Sequence, residues 1–314
     1  MRVMCLSRAK PPRRAARARA VATMDAALRA LRAAPILISD EPSVEALCAQ
    51  RPPFGLLDSG SSALVGLSNS SKLSACNALA SRMMQSGAGR RQRSVRHRSC
   101  AVVGSGGIMR SSGLGKSIDR HAAVIRFNGA PTFSLYVPDV GSRTTLQLST
   151  LVPWRHWRRR ADAAQLDRVR DSVLYCHNHW VGNCWSDALK YGKGNVVNPV
   201  LVAAAGALLR AHGSRKASRV PSSGLVGIAM ALASCDGVPD VYGFGNRSGD
   251  GESICDHYWE CRTDQGSYLG RSTHSFIAQW RVLTWLNDQG AIRLHSMAPA
   301  NAFRLPPGRP RSNV

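Results

Sequence analysis

From Cys100 to His295, short apolar runs that stop at glycines alternate with segments of helical spacing. This alternation constrains the fold more than any other feature of the chain. Ala101 to Gly104, Ala122 to Phe127, Thr144 to Ser149, Ser172 to Cys176, Val238 to Phe244 and Ala291 to His295 read as strands. Lys116 to His121, Ala161 to Arg170, Pro199 to His212, Ser222 to Cys235 and His274 to Gln289 read as helices. Such a pattern predicts an α/β fold with a mostly parallel central sheet flanked by helices. Ligands of such sheets bind outside the carboxyl ends of the strands. The turns Gly104 to Gly107, Ser222 to Gly224 and Gly243 to Gly245 all fall there.

The first turn, CAVVGSGGIMRSSGLGKSIDRH, has the outline of a nucleotide loop but matches neither familiar one. The dinucleotide fingerprint needs a third glycine where Met109 stands, and the P-loop needs its opening glycine at Arg110. Its glycines therefore serve another purpose.

Residues 1–98 read as a basic, poorly patterned tail or stem-like region, with one helical segment from Met24 to Ala34 and a Pro- and Ser-rich stretch from Arg51 to Gly66. Residues 99–305 read as one folded unit, and 306–314 as a second tail. The formal charge is +23, with Arg outnumbering Lys 36 to 6, which suggests an anionic partner. Trp154 to Arg160, WRHWRRR, is either plain surface or a segment whose two Trp stack on a base or sugar ring. No apolar run reaches the length of a membrane span, so no membrane anchor is visible. The Arg- and Ala-rich start is that of a transit peptide or of a disordered terminus. Nine cysteines without a CxxC argue against a zinc ribbon. Cys255, His257 and Cys261 lack the second cluster that a metal site needs.

Local chemistry marks candidate residues. Asn128 ends an apolar run, and its side chain both donates and accepts; a turn residue before Gly129 is the plainer reading. Ser222 and Ser223 open an apolar helix, where exposed N–H groups make an anion site or an ordinary cap.

Taken together, these segments resemble the eukaryotic sialyltransferases, glycosyltransferase family 29. The likeness lies in blocks that keep the family's order. A long motif holds CAVVGSGG, IDRHAAVIRFNGAPT and DVGSRTT; a short motif holds PSSGLVGIAMALASCDGVPDVYGFG; HYWE follows, and then HSFIAQWRVLTWLNDQGAIRL. The resemblance implies a glycosyltransferase A-like α/β sandwich. It implies transfer of a sialic acid, or a related sugar acid such as Kdo, from its CMP-activated donor to a galactose-type hydroxyl of a glycan acceptor. It further implies inversion at the anomeric carbon, no metal ion or other cofactor, and the Golgi lumen.

On this reading Gly104, Ser105 and Gly106 let backbone approach the nucleotide, Asn128 meets ribose or base, and Ser222, Ser223 and Gly224 hold an anion. A single phosphate needs less cradle than a triphosphate. His274 is the general base, placed before a helix whose positive end favours neutral imidazole. His257 stabilises the departing phosphate and Tyr258 adds a donor. Cys100 and Cys235 stand where the family joins its long and short motifs by a disulfide; two buried free thiols are the alternative. Cys176 with Cys184 and Cys255 with Cys261 are possible local pairs.

The chain departs from the family at two motif positions. Gln279 stands where the last motif usually has Glu, and Ser105 where the opening loop usually has Asn. These departures keep a catalytically silent glycan-binding homologue open. The charge and WRHWRRR keep a nucleic-acid-binding protein open, although no recognisable nucleic-acid module is present.

Overall fold

The computed structural model describes residues 13–38, 43–49, 68–85, 96–160, 172–177, 181–191, 195–212, 220–245, 257–260 and 276–295. Their strands are β1 (Cys100–Val103), β2 (Ala123–Phe127), β3 (Leu146–Thr150), β4 (Val173–Tyr175), β5 (Asp240–Tyr242) and β6 (Arg293–His295). They form one sheet in the order β4-β3-β2-β1-β5-β6, with every neighbouring pair parallel. The order steps outward from β1 to β4, then restarts on the other side of β1. The reversal puts the switch point between β1 and β5, and it is outside the carboxyl ends of the strands at such a point that an open α/β sheet has its ligand crevice.

The helices, in chain order, are α1 (Arg13–Ala33), α2 (Val44–Cys48), α3 (Asn69–Gln85), α4 (Gly115–Asp119), α5 (Val137–Val140), α6 (Leu151–Arg160), α7 (Val181–Tyr191), α8 (Pro199–Ala211), α9 (Ser223–Ser234) and α10 (Phe276–Asp288). Strand periodicity sorts the layers. Cys100 and Val102 of β1, with Ala123, Ile125 and Phe127 of β2, face α1, α8, α9 and α10. Ala101, Val103 and Val124 face the other way, onto Met109, Ile118, Val140 and Tyr258. A further cluster joins α2, α3, α6 and α7 beside β4.

Two expectations are corrected here. Residues 1–98 are not only a tail. Leu28 and Leu31 of α1 are buried in the main core, and Cys48 of α2 is disulfide-bonded to Cys76 of α3. Asn198 fixes the following strand of chain, its Nδ2 donating to Leu37 O at 3.3 Å and its backbone N–H to Ile36 O at 2.8 Å. The partner of α1 is the apolar face of α8, far along the chain, so local pattern could not reveal the packing. The second correction concerns WRHWRRR. It lies within α6, where Trp154 is 1% exposed and donates from Nε1 to Ser172 Oγ at 2.9 Å. A buried indole cannot stack on a base or sugar. The helix expected from Ala161 to Arg170 and the tail 306–314 lie outside the described residues.

At the sheet's far edge, the buried carboxylate of Asp240 takes Arg293 Nε at 2.9 Å, Arg293 Nη2 at 2.8 Å and His295 Nε2 at 2.7 Å. Burial pushes its pKa up, but the hydrogen bonds from Arg293 and His295 win and hold it below the ordinary carboxylate value. A depressed folded pKa contributes stability that is present above the unfolded value, about 4, and lost as pH falls through the folded one. Asp240→Asn should therefore lower stability at neutral pH and flatten the acid limb below about pH 4. Urea unfolding across pH checks this, and an acid limb identical to that of the unsubstituted protein would contradict it.

Candidate active site

The opening glycine turn is built by backbone meeting backbone. Gly104 N–H donates to Tyr242 O at 2.7 Å and Gly106 N–H to Gly243 O at 3.1 Å, so the turn after β1 is zipped to the turn after β5. A Cβ on Gly104 or on Gly106 would stand 2.6 Å from Gly243 O, and Gly243 itself has φ +72°. Phe244 then covers the helix beyond, where a Cβ on Gly224 would lie 2.6 Å from its ring. Gly104, Gly106 and Gly224, expected to yield space to the nucleotide, yield it first to these contacts. The turns they join are the ones at the β1–β5 crevice, and half-buried Ser105 sits between Gly104 and Gly106.

The P-loop-like end of the same segment has a packing explanation. A Cβ on Gly115 would strike Val137 O and come within 2.8 Å of Pro138 O. Two carboxylates clamp the segments across this contact. Asp139 accepts from Ser111 N–H at 2.8 Å and Gly113 N–H at 3.0 Å, while Asp119 accepts from Ser142 N–H at 2.9 Å and Arg143 N–H at 3.0 Å. Gly115→Ala should thus cost about 1–3 kcal/mol by overpacking. Thermal unfolding measures it; a melting temperature unchanged by the methyl group would rule out the close approach.

Asn128 terminates β2 in a left-handed conformation, φ +50°, which Asn tolerates better than most residues. Its Oδ1 accepts Thr150 N–H at 3.0 Å, and its Nδ2 reaches Ser223 Oγ at 3.5 Å. Expected both to donate and to accept, it already has its carbonyl engaged at the end of β3. The amide NH2 turns toward α9 and remains its only side-chain donor. Ser222 is the N-cap of α9 and accepts Leu225 N–H at 3.3 Å. It is in turn held by Gln279 of α10, whose Oε1 accepts from the Ser222 hydroxyl and from Ser222 N–H at 3.2 Å. Ser222 therefore caps, and Ser223 and Gly224 supply the first N–H groups of a helix pointing at the crevice.

Gln279 is 6% exposed, and its Nε2 finds no partner among the described residues. A cavity of about 100 Å³ lies here, lined by Ser222, Phe244, Gln279, Trp280 and neighbouring leucines. A buried, unpaired amide N–H costs about 1–3 kcal/mol. Glutamate would remove that donor, keep both hydrogen bonds to Ser222 and place negative charge at the positive end of α9. Gln279→Glu should raise stability by roughly 1 kcal/mol and should raise turnover. Urea unfolding and initial rates read the two effects, and a variant both less stable and no faster would refute them.

HYWE closes the site's other side. Tyr258 N–H donates to Ser105 O at 3.0 Å, and Arg110 Nε donates to Tyr258 O at 2.7 Å, so His257 is carried beside the opening turn. His257 stacks on Trp259 at 4.5 Å. Tyr258 does not fit its expected role as a phosphate donor. It is 2% exposed, its hydroxyl donates to Pro131 O at 2.6 Å, and burial pushes its pKa well up. His274 lies outside the described residues, two positions before α10 begins. Among the described residues no group of His, Cys, Asp and Glu side chains could hold a metal ion, and no helix is long and apolar enough to cross a membrane. Cys255 and Cys261 lie outside the described residues.

Cys100, the first residue of β1, is bonded to Cys235, which ends α9, and Cys176 is bonded to Cys184. Sequence reasoning missed Arg126, 1% exposed on β2, which donates to Arg143 O at 2.9 Å and Val140 O at 2.6 Å. Desolvation lowers its pKa, and it ties the DVGSRTT segment to the strand that ends in Asn128. An arginine inside the apolar run AVIRF was the available signal.

Residues 58–291 match glycosyltransferase family 29 (sialyltransferase). CMP-N-acetylneuraminate-beta-galactosamide-alpha-2,3-sialyltransferase 1 of Mus musculus is 29% identical over 218 residues, which cover 65% of this chain and 60% of that protein. Sialyltransferase 4 of the same alpha-2,3 type from Homo sapiens is 29% identical over 229 residues, 64% of this chain and 65% of that protein. The chain thus spans less than two thirds of the length of these curated relatives. A crystal structure of a mammalian sialyltransferase superposes with a TM-score of 0.51 at 22% identity, covering 83% of this chain and 88% of that one, and so shares the fold. With the matched region spanning most of its length, the chain belongs to glycosyltransferase family 29, the sialyltransferase family.

Proposed function

We propose that this protein transfers a sialic acid from CMP-sialic acid to a galactose-type hydroxyl of a glycan. The observation that carries this reading is the convergence of the motif residues on one crevice. The Gly104–Gly106 turn, Asn128, the amino end of α9 and His257 all stand at the carboxyl ends of β1, β2 and β5. The relatives' printed names supply the donor and the galactoside, and a mammalian sialyltransferase was crystallised with Gal-beta-1-3GalNAc-ortho-nitrophenol.

The residues divide the reaction between them. The acceptor oxygen attacks the anomeric carbon, the bond from that carbon to the phosphate oxygen breaks, and CMP leaves with the electron pair. His274 takes the hydroxyl proton. The N–H groups of Ser223 and Gly224 and the imidazole of His257 receive the negative charge that builds on the leaving phosphate. Attack opposite the leaving group is a single displacement with inversion. With protein donors at the phosphate, the reaction needs no metal ion. The disulfides suit an oxidising lumen, so we place the protein in the Golgi.

Transfer from CMP-Neu5Ac and from CMP-Kdo to galactose-terminated acceptors, with EDTA present, tests the reading. Transfer from the first donor supports it and from the second alone replaces the sugar. CMP binding without transfer would indicate a silent homologue and direct attention to Gln279 and Ser105. Absence of CMP binding would overturn the reading and return weight to a nucleic-acid partner.

A further inference from the structure

The amino end of α9 is held by a neutral side chain where a charged one would bond equally well. Gln279 Oε1 accepts from the Ser222 hydroxyl and, at 3.2 Å, from Ser222 N–H, while the hydroxyl oxygen accepts Leu225 N–H at 3.3 Å. The N-cap is thereby committed to the protein. The N–H groups of Ser223 and Gly224 come next, at the start of the helix, where no partner exists within the helix itself. Neither α9 nor α10 has an acidic residue in its first turn. The adjoining cavity of about 100 Å³ is lined by Ser222, Phe244, Gln279 and Trp280 with aliphatic neighbours, and none of these side chains ionises. Gln279 is 6% exposed, and its Nε2 has no partner among the described residues. A carboxylate would accept the same two hydrogen bonds and leave no donor unmet. The amide therefore costs stability that its isostere would not, and a local rule broken in this way points to function. What the amide supplies is the absence of charge.

We infer that Gln279 is a positioning residue that keeps the amino end of α9 free of negative charge, so that this seat holds a phosphate monoester more tightly than a phosphate diester. The inference rests on the transferase reading above, which puts the donor phosphate on the N–H groups of Ser223 and Gly224. The donor arrives as a diester with one phosphate charge. When the bond to the anomeric carbon breaks, CMP remains as a monoester, which carries roughly two charges at neutral pH because its second ionisation lies at about 6. The positive potential of the helix start acts on each charge, and apolar walls screen it less than water does. The seat therefore grips the product more firmly than the donor, and departure of CMP slows turnover. A carboxylate on Ser222 would stand within about one helical turn, ~5 Å, of the seat and would repel the phosphate in proportion to its charge.

Titration of the full chain with cytidine, CMP methyl ester and CMP tests this, because the three differ chiefly in phosphate charge. The unsubstituted protein should bind CMP more tightly than the methyl ester. Gln279→Glu should leave cytidine affinity unchanged, weaken the methyl ester roughly 3- to 10-fold and weaken CMP roughly 10- to 100-fold. In transfer assays the inhibition constant of CMP should rise more than the donor KM. Gln279→Met loses the bonds to Ser222 without gaining charge, so it should lower stability yet keep the preference for CMP over its methyl ester. Equal weakening of all three ligands by Gln279→Glu would make the effect structural and overturn the inference. Unchanged affinities in that variant, or a preference already lost in Gln279→Met, would overturn it as well. If none of the three ligands binds the unsubstituted protein, the transferase reading itself falls, and the inference with it.

Discussion

Replacing Cys100 and Cys235 together by alanine should destabilise the protein by about 5 kcal/mol, the chain-entropy value for a loop of this size. The bond spans a sequence separation of 135 residues, and both cysteines are buried. It ties the start of the central strand β1 to the end of α9, the helix whose other end faces the crevice. Loss of the bond therefore loosens the element that presents Ser222 and Ser223, and donor affinity should fall together with stability. Most small domains have only 5–15 kcal/mol to lose, so the doubly substituted protein should be close to unfolded at physiological temperature. Urea unfolding of the oxidised protein and the variant, followed at equal protein concentration, gives the difference. A shift below about 1 kcal/mol would mean that packing of α9 against β1 and β2 already supplies what the bond was credited with.

His274→Ala should reduce kcat by roughly 10²- to 10⁴-fold, the usual contribution of a general base. CMP affinity should stay near that of the unsubstituted protein. His274 lies two positions before α10 in the sequence, and Gln279, in the first turn of α10, is hydrogen-bonded to Ser222 at the amino end of α9. The Gln279 contact therefore brings the amino ends of α9 and α10 together, and this contact is what the proposed role of His274 relies on. Single-turnover rates across pH, alongside CMP titration, check this. Retained turnover in the folded variant, or loss of CMP binding equal to the loss of rate, would remove His274 from the role of base.

Much of the fold was legible. The alternation of apolar runs and helical segments gave the parallel α/β sheet, because a strand buried on both faces is apolar nearly throughout, as β1 is and as β2 is apart from Arg126. The motif residues marked the carboxyl ends of the strands. The roles of particular residues were less legible. Tyr258 looked like a donor because its hydroxyl is chemically able to be one, but Pro131 takes that hydrogen bond. Trp154 looked available beside its arginines, but helical geometry turns it into the core while Val152 is left outside. The N-terminal helices looked like a tail because their partners, α8 and α7, come later in the chain.

The sequence alone determined the six strands, the helices α4, α8, α9 and α10 and which residue types occupy the strand ends, since periodicity and glycine placement are local properties; it did not mark α3, α6 or α7 as helices. It also determined the family, since motif order is written along the chain. Tertiary structure decided that the turns after β1 and β5 touch, that Gln279 reaches Ser222, and that Asp119 and Asp139 clamp each other's segments. Each of these depends on a pairing between distant segments, and such pairings are fixed only when the strand order brings particular backbones together.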